Sequence, residues 1–131
     1  VDRFAADRPG ERFDVITCNH VLEHVPDPAA ALAAMARLLH DGGQAVITVP
    51  NAECWAARSL RGAWNSTDLP RHLMQFGPDS PERAAARAGL RTASITTYSL
   101  PSATAASVRT WLRMRLCVPH FVPRRVGLLD A

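Results

Sequence analysis

The sequence predicts an α/β fold, built on a parallel sheet that it supplies only in part. Three observations carry this. A continuous apolar run, Phe13–Cys18, precedes an Ala-rich segment and then a second apolar run, Gln44–Val49. The segment between them repeats its large apolar residues at helical spacing. Strand, helix and strand within forty residues make a βαβ unit, whose crossover is right-handed.

The first strand is expected over 13–18, with Phe13, Val15, Ile16 and Cys18 forming a run of the buried, parallel type. Asp27 then offers an N-cap and Pro28 a first-turn proline, so a helix should run to about Leu39. Its inner face would carry Leu32, Met35, Ala36 and Leu39. Asp41-Gly42-Gly43 should end it, because glycine takes the positive φ of a helix stop. The second strand spans 44–49 and stops at Pro50. A short helix is expected near Cys54–Leu60, inside an irregular stretch from Asn51 to Gly77. Asp79 or Ser80 should open a further helix, with Pro81 near its start and Gly89 closing it. Thr92–Ser99 reads as a third strand. Val108, Trp111, Leu112 and Leu116 place an amphipathic helix between Pro101 and Pro119.

At 131 residues and 14.3 kDa the chain holds one domain at most. Its hydrophobic content of 47% is inflated by alanine, so the core is thin and an exposed apolar sheet edge is expected. Val1 and the short lead into the first strand make the chain read as the C-terminal portion of a domain. We divide it into 1–100, belonging to that domain, and 101–131, a basic amphipathic extension.

Every basic residue is an arginine, 15 in all, and the net charge is +3. A balance that small does not indicate a nucleic-acid surface. Arg109, Arg113, Arg115, Arg124 and Arg125 face only Asp130 in the tail, which could meet an acidic partner or a membrane surface; a solvated helix face is the simpler reading. Cys18, Cys54 and Cys117 are odd in number and unpaired by any C-x-x-C, as expected in a reducing, cytoplasmic setting. No apolar run approaches the ~20 residues of a membrane-spanning helix.

His20, Glu23 and His24 form H-x-x-E-H. On a helical turn these positions share one face and could hold a divalent metal. The same letters occur in an inverted zinc-protease motif, but Pro26 and Pro28 forbid the long helix that motif needs. Structural anchoring of the loop by Glu23 and His24 is the plainer alternative. Arg71 and His72 lie in the irregular stretch, where His72 could complete a metal site or contact an acceptor and Arg71 could pair with a carboxylate or phosphate on it, or both could simply pin the loop to the sheet. Trp55, Trp64 and Phe76 could line a pocket or form a satellite core.

Phe13-Asp14-Val15-Ile16, then His20-Val21-Leu22-Glu23-His24-Val25-Pro26-Asp27-Pro28, then Gly42-Gly43 before Val49-Pro50-Asn51, resemble class I S-adenosylmethionine-dependent methyltransferases. Asp68-Leu69-Pro70-Arg71-His72-Leu73, Phe76 and Ala88-Gly89-Leu90 extend the likeness to the small-molecule branch that includes ubiquinone-biosynthesis O-methyltransferases. The resemblance covers about 11–99. It implies a Rossmann-like fold in which 13–18, 44–49 and 92–99 are the fourth, fifth and sixth strands. The earlier strands and their glycine loop are absent: the seven glycines include no G-x-G. Cys117–Val122 is a poor seventh strand. Pro81 and Ala84–Ala86 stand where the family usually has leucines.

The resemblance further implies S-adenosylmethionine as cofactor, lined by Cys18, Asn19 and His20, and a small-molecule acceptor methylated at oxygen. His20 and His72 are the candidate catalytic residues. His20, Glu23 and His24 are the candidate metal ligands, matching an E-x-x-E-H that holds magnesium in ubiquinone-pathway and small-RNA methyltransferases. Here His20 replaces the first glutamate and softens the set, which disfavours magnesium. Two other readings stay open: a non-catalytic remnant that docks through its sheet edge, and a metal-dependent hydrolase using His20, Glu23 and His24.

Overall fold

A computed structural model describes residues 4, 7, 8 and 10–116. Strand β1, Phe13–Asn19, is followed by a single 3-10 turn at Leu22–His24 and helix α1, Pro28–Leu38. Strand β2, Leu39–Thr48, leads to α2, Trp55–Leu60, then two 3-10 turns at Arg61–Ala63 and Asn65–Thr67. Helices α3, Ser80–Arg87, and α4, Pro101–Arg115, complete the described chain.

The expected βαβ unit forms. β1 and β2 pair in parallel, with Ile16 opposite Ala45 and Cys18 opposite Ile47. Helix α1 starts where the sequence said, and Asp27 accepts the Ala30 N–H at 3.0 Å. That bond satisfies one orphan donor of the first turn. Asp27→Ala should therefore cost about 1 kcal/mol, read as a lower urea midpoint with an unchanged slope.

Two expectations are corrected at the next junction. α1 ends at Leu38, where Leu39 turns to extended geometry, before the glycines arrive. Asp41-Gly42-Gly43 lies instead within β2. The register jumps from Phe13↔Leu39 to Val15↔Gln44, so the glycines absorb a bulge in the ladder. Gly42 takes φ +82°, and a Cβ on Gly43 would lie 3.0 Å from the carbonyl oxygens of both His40 and Phe13. Gly43→Ala should push β1 from β2 and destabilise by about 1–3 kcal/mol, measurable by thermal unfolding.

β1 is also less buried than a fully covered parallel strand. Cys18 is buried and Ile16 half-buried, whereas Phe13 and Val15 are exposed. Only the face toward α1 is covered among the described residues. The core there joins Cys18, Leu22, Leu32, Met35 and Phe76, with Ile47 and Val49 against it. Ala84, Ala88 and Leu90 pack on the same cluster, so the small residues of α3 let it approach α1.

Thr92–Ser99 forms no strand. A β-prone segment becomes a strand only when an edge receives its hydrogen bonds, and none does so among the described residues. Cys117–Val122 lies outside them, as do Arg124 and Arg125 of the basic tail. Helix α4 runs from Pro101 as expected. It turns its buried Ser107 toward the irregular stretch, where the hydroxyl accepts the Asn65 N–H at 2.9 Å. Trp111 carries the Arg115 guanidinium over its ring, 5.4 Å from the centroid.

Candidate active site

Parallel β-strands open their carboxyl ends toward ligands in α/β sheets. β1 ends there on Asn19, and the chain turns sharply at His20, which adopts φ +52°. Positive φ is uncommon outside glycine and marks a backbone over-determined by its surroundings. Two bonds hold it. The His20 N–H reaches the Thr48 carbonyl at 2.9 Å, and ring Nδ1 meets Glu23 Oε1 at 3.1 Å.

That bond fixes how His20 presents itself. The carboxylate accepts, so Nδ1 carries the hydrogen, and in the neutral ring Nε2 is the nitrogen with the lone pair. Glu23 is 1% exposed, while the His20 side chain is 44% exposed. A buried acid thus orients a solvent-facing imidazole, with no α-helix involved. His20 lies outside the 3-10 turn, which corrects the expectation that it shares a helical face with Glu23 and His24.

Glu23 also ties down the irregular stretch. Its backbone carbonyl accepts from Leu73 N at 2.7 Å and Met74 N at 3.1 Å. Phe76 is buried and its carbonyl accepts from Ala52 N at 2.8 Å, so this stretch is strapped at both its ends. The result is to bring His72 to the turn. Glu23, His24 and His72 place one ligand atom each within 4.8 Å of one another. The sequence grouped His20 with Glu23 and His24; the structure groups His72 with them.

Both rings are set from behind. His24 Nδ1 donates to the Arg71 carbonyl at 2.9 Å, and His72 Nδ1 to the Ser66 carbonyl at 2.7 Å. A carbonyl only accepts, so in the neutral form of each ring Nδ1 carries the hydrogen and Nε2 a lone pair. The rings meet edge to face at 4.7 Å. Glu23 Oε2 is buried with no partner. An orphaned carboxylate oxygen beside two imidazole lone pairs is a donor set that fits a divalent cation.

Arg71 faces no open carboxylate site. Its Nε and Nη2 bond Asp68 Oδ1 at 3.1 and 2.6 Å. This hydrogen bond, outweighing some desolvation, holds the Asp68 carboxyl below its ordinary value of 3.8, with the charges of Arg71, His72 and His24 assisting. A depressed acid contributes stability above its unfolded pKa and loses it as pH falls through the folded one. The loop at 68–72 should therefore loosen only below about pH 4.

Cys18 points its side chain into the core, so only its main chain stands at the strand end. Burial first, then the charge of Glu23, pushes its thiol up, partly offset by the Leu22 backbone N–H. At pH 7 iodoacetamide should label Cys54, half-buried at the start of α2, well before Cys18. Peptide mass spectrometry would show this. Trp55 is exposed and lines no pocket with Phe76, which belongs to the core. No helix among the described residues is long and apolar enough to cross a membrane.

The parallel βαβ unit with a polar, strained turn at its carboxyl end defines an α/β protein. Comparison with known sequences narrows the class: the family model for a methyltransferase domain matches residues 1–95, and the chain belongs to that family. The ubiquinone biosynthesis O-methyltransferase of Thiobacillus denitrificans is 38% identical over 99 residues, covering 71% of this chain and 42% of the relative. Its namesake in Aromatoleum aromaticum is 36% identical over 100 residues, covering 72% and 42%. That of Stutzerimonas stutzeri is 48% identical over 77 residues, covering 57% and 33%. The chain thus spans about two-fifths of the length of the first two relatives.

Proposed function

We propose that the protein takes part in S-adenosylmethionine-dependent methyl transfer to an oxygen of a small molecule, as the names of its relatives suggest for them. The observation that carries this reading is His20. It stands at the carboxyl end of β1 in a strained conformation, with its ring aimed by a buried glutamate. Such an arrangement suits a proton acceptor better than a loop cap.

S-adenosylmethionine supplies a methyl group on a sulfonium, whose sulfur departs as a neutral thioether. Displacement of this kind depends chiefly on alignment. Asn19, exposed beside His20, offers donor and acceptor groups at the strand mouth for the cofactor's polar end. No glycine-rich turn accompanies it among the described residues. As the acceptor oxygen gains the methyl carbon, its proton passes to His20 Nε2 and the charge that forms on the ring is met by Glu23. Glu23, His24 and His72 would hold a divalent cation, which would supply positive charge to an acceptor oxygen nearby.

The remnant and hydrolase readings have no comparable support. The family match favours methyl transfer, and Leu22–His24 is one 3-10 turn, too short for a protease helix. The test is incubation of the full-length gene product with methyl-labelled S-adenosylmethionine and a panel of phenols. Label recovered in a methyl ether supports the reading. Label appearing on nitrogen alone, or on no acceptor, contradicts it.

A further inference from the structure

We propose that Ser107 on α4 is a positioning residue for the site, acting through the Asn65–Thr67 turn to hold the His72 ring. The kinetic part of this inference rests on the methyl-transfer reading above; the structural part does not.

The placement of Ser107 is the first argument. It is the only buried residue of α4, at 1% exposure. Serine inside a helix is worth less to that helix than alanine, because its hydroxyl competes for backbone bonds. Here the hydroxyl donates to the Ala103 carbonyl one turn back at 2.9 Å, the ordinary back-bond of a helical serine. That uses its one hydrogen and leaves its lone pairs to accept. The Asn65 N–H takes one of them at 2.9 Å, from 42 residues away along the chain.

The second argument is what Asn65 begins. It opens the 3-10 turn Asn65–Thr67, which the Thr67 N–H closes on the Trp64 carbonyl at 3.0 Å. The middle residue of that turn is Ser66, whose carbonyl accepts from His72 Nδ1 at 2.7 Å. A turn this short has no slack between its first N–H and its middle carbonyl, so fixing one fixes the other. The carbonyl in turn decides which ring nitrogen of His72 carries the hydrogen. Helix α4 packs chiefly on α2 and on the two 3-10 turns, so it braces this stretch from outside. His72 is itself buried, and a displaced Ser66 carbonyl would be felt at its ring.

The experiment compares Ser107→Ala with the parent as full-length protein. Alanine fills the same space less one oxygen and favours the helix, so α4 should persist and the melting temperature should stay close to the parent's. Proton–nitrogen correlation spectra of chelator-stripped protein, labelled with heavy nitrogen at histidine, report which ring nitrogen is protonated; His72→Asn assigns the signal. We expect the neutral His72 ring to be held as Nδ1–H in the parent and to become a mixture of tautomers in Ser107→Ala. The kcat for methyl transfer should fall by about 10–100-fold, up to the loss that a misplacement of about 1 Å brings, with the KM for S-adenosylmethionine little changed. Ser107→Thr keeps a hydroxyl able to bond the carbonyl one turn back and should restore both readouts. Ser102→Ala, at an exposed position of α4, should change neither. An unchanged His72 tautomer in folded Ser107→Ala overturns the inference, whatever happens to kcat. So does a folded Ser107→Thr protein that behaves as the alanine variant. A tautomer change in Ser107→Ala, with no methyl transfer by the parent, upholds the positioning role and sinks the methyl-transfer reading alone.

Discussion

His20→Asn should lower kcat for methyl transfer by about 10²–10⁴-fold, the range lost with a positioned proton acceptor. Asparagine is chosen because it tolerates the left-handed backbone that His20 adopts at φ +52°. The turn and its bond to the Thr48 carbonyl should therefore persist. The effect should fall on kcat, with the KM for S-adenosylmethionine little changed. A variant that folds normally and loses less than about tenfold in kcat would remove His20 from the chemistry.

The second large effect belongs to the core beneath the turn. Leu32 is 1% exposed at the centre of the inner face of α1, packed in the cluster with Cys18, Leu22, Met35 and Phe76. Leu32→Ala removes that packing and leaves a void, costing about 2–5 kcal/mol. Domains of this size hold only about 5–15 kcal/mol in total. The loss should show as a large drop in the urea midpoint. A change below about 1 kcal/mol would mean that the core collapses around the gap, and that α1 does not brace the site as described.

Those two residues were legible in the sequence in different ways. Leu32 announced itself by helical spacing after Asp27-Pro28, and that cap placed the start of α1. His20 was visible as a polar residue just past a strand. Its tautomer and strain were not, since they depend on Thr48 and Glu23 meeting it in space. The grouping of His72 with Glu23 and His24 was beyond spacing alone. It arises from long-range backbone bonds, Leu73 N and Met74 N to the Glu23 carbonyl, that no local pattern encodes.

The misplacements have the same origin. Asp41-Gly42-Gly43 carries the letters of a helix stop, yet glycine's freedom was used for a bulge once β1 offered a ladder to join. Thr92–Ser99 has strand composition without a neighbour to pair with among the described residues. Local propensity proposes an element; the partner decides it.

The most direct measurement is calorimetric titration of S-adenosylmethionine into the full-length gene product. The account predicts saturable binding of one molecule per chain, displaced by S-adenosylhomocysteine. Absence of binding heat, together with no shift in melting temperature at saturating S-adenosylmethionine, would contradict it.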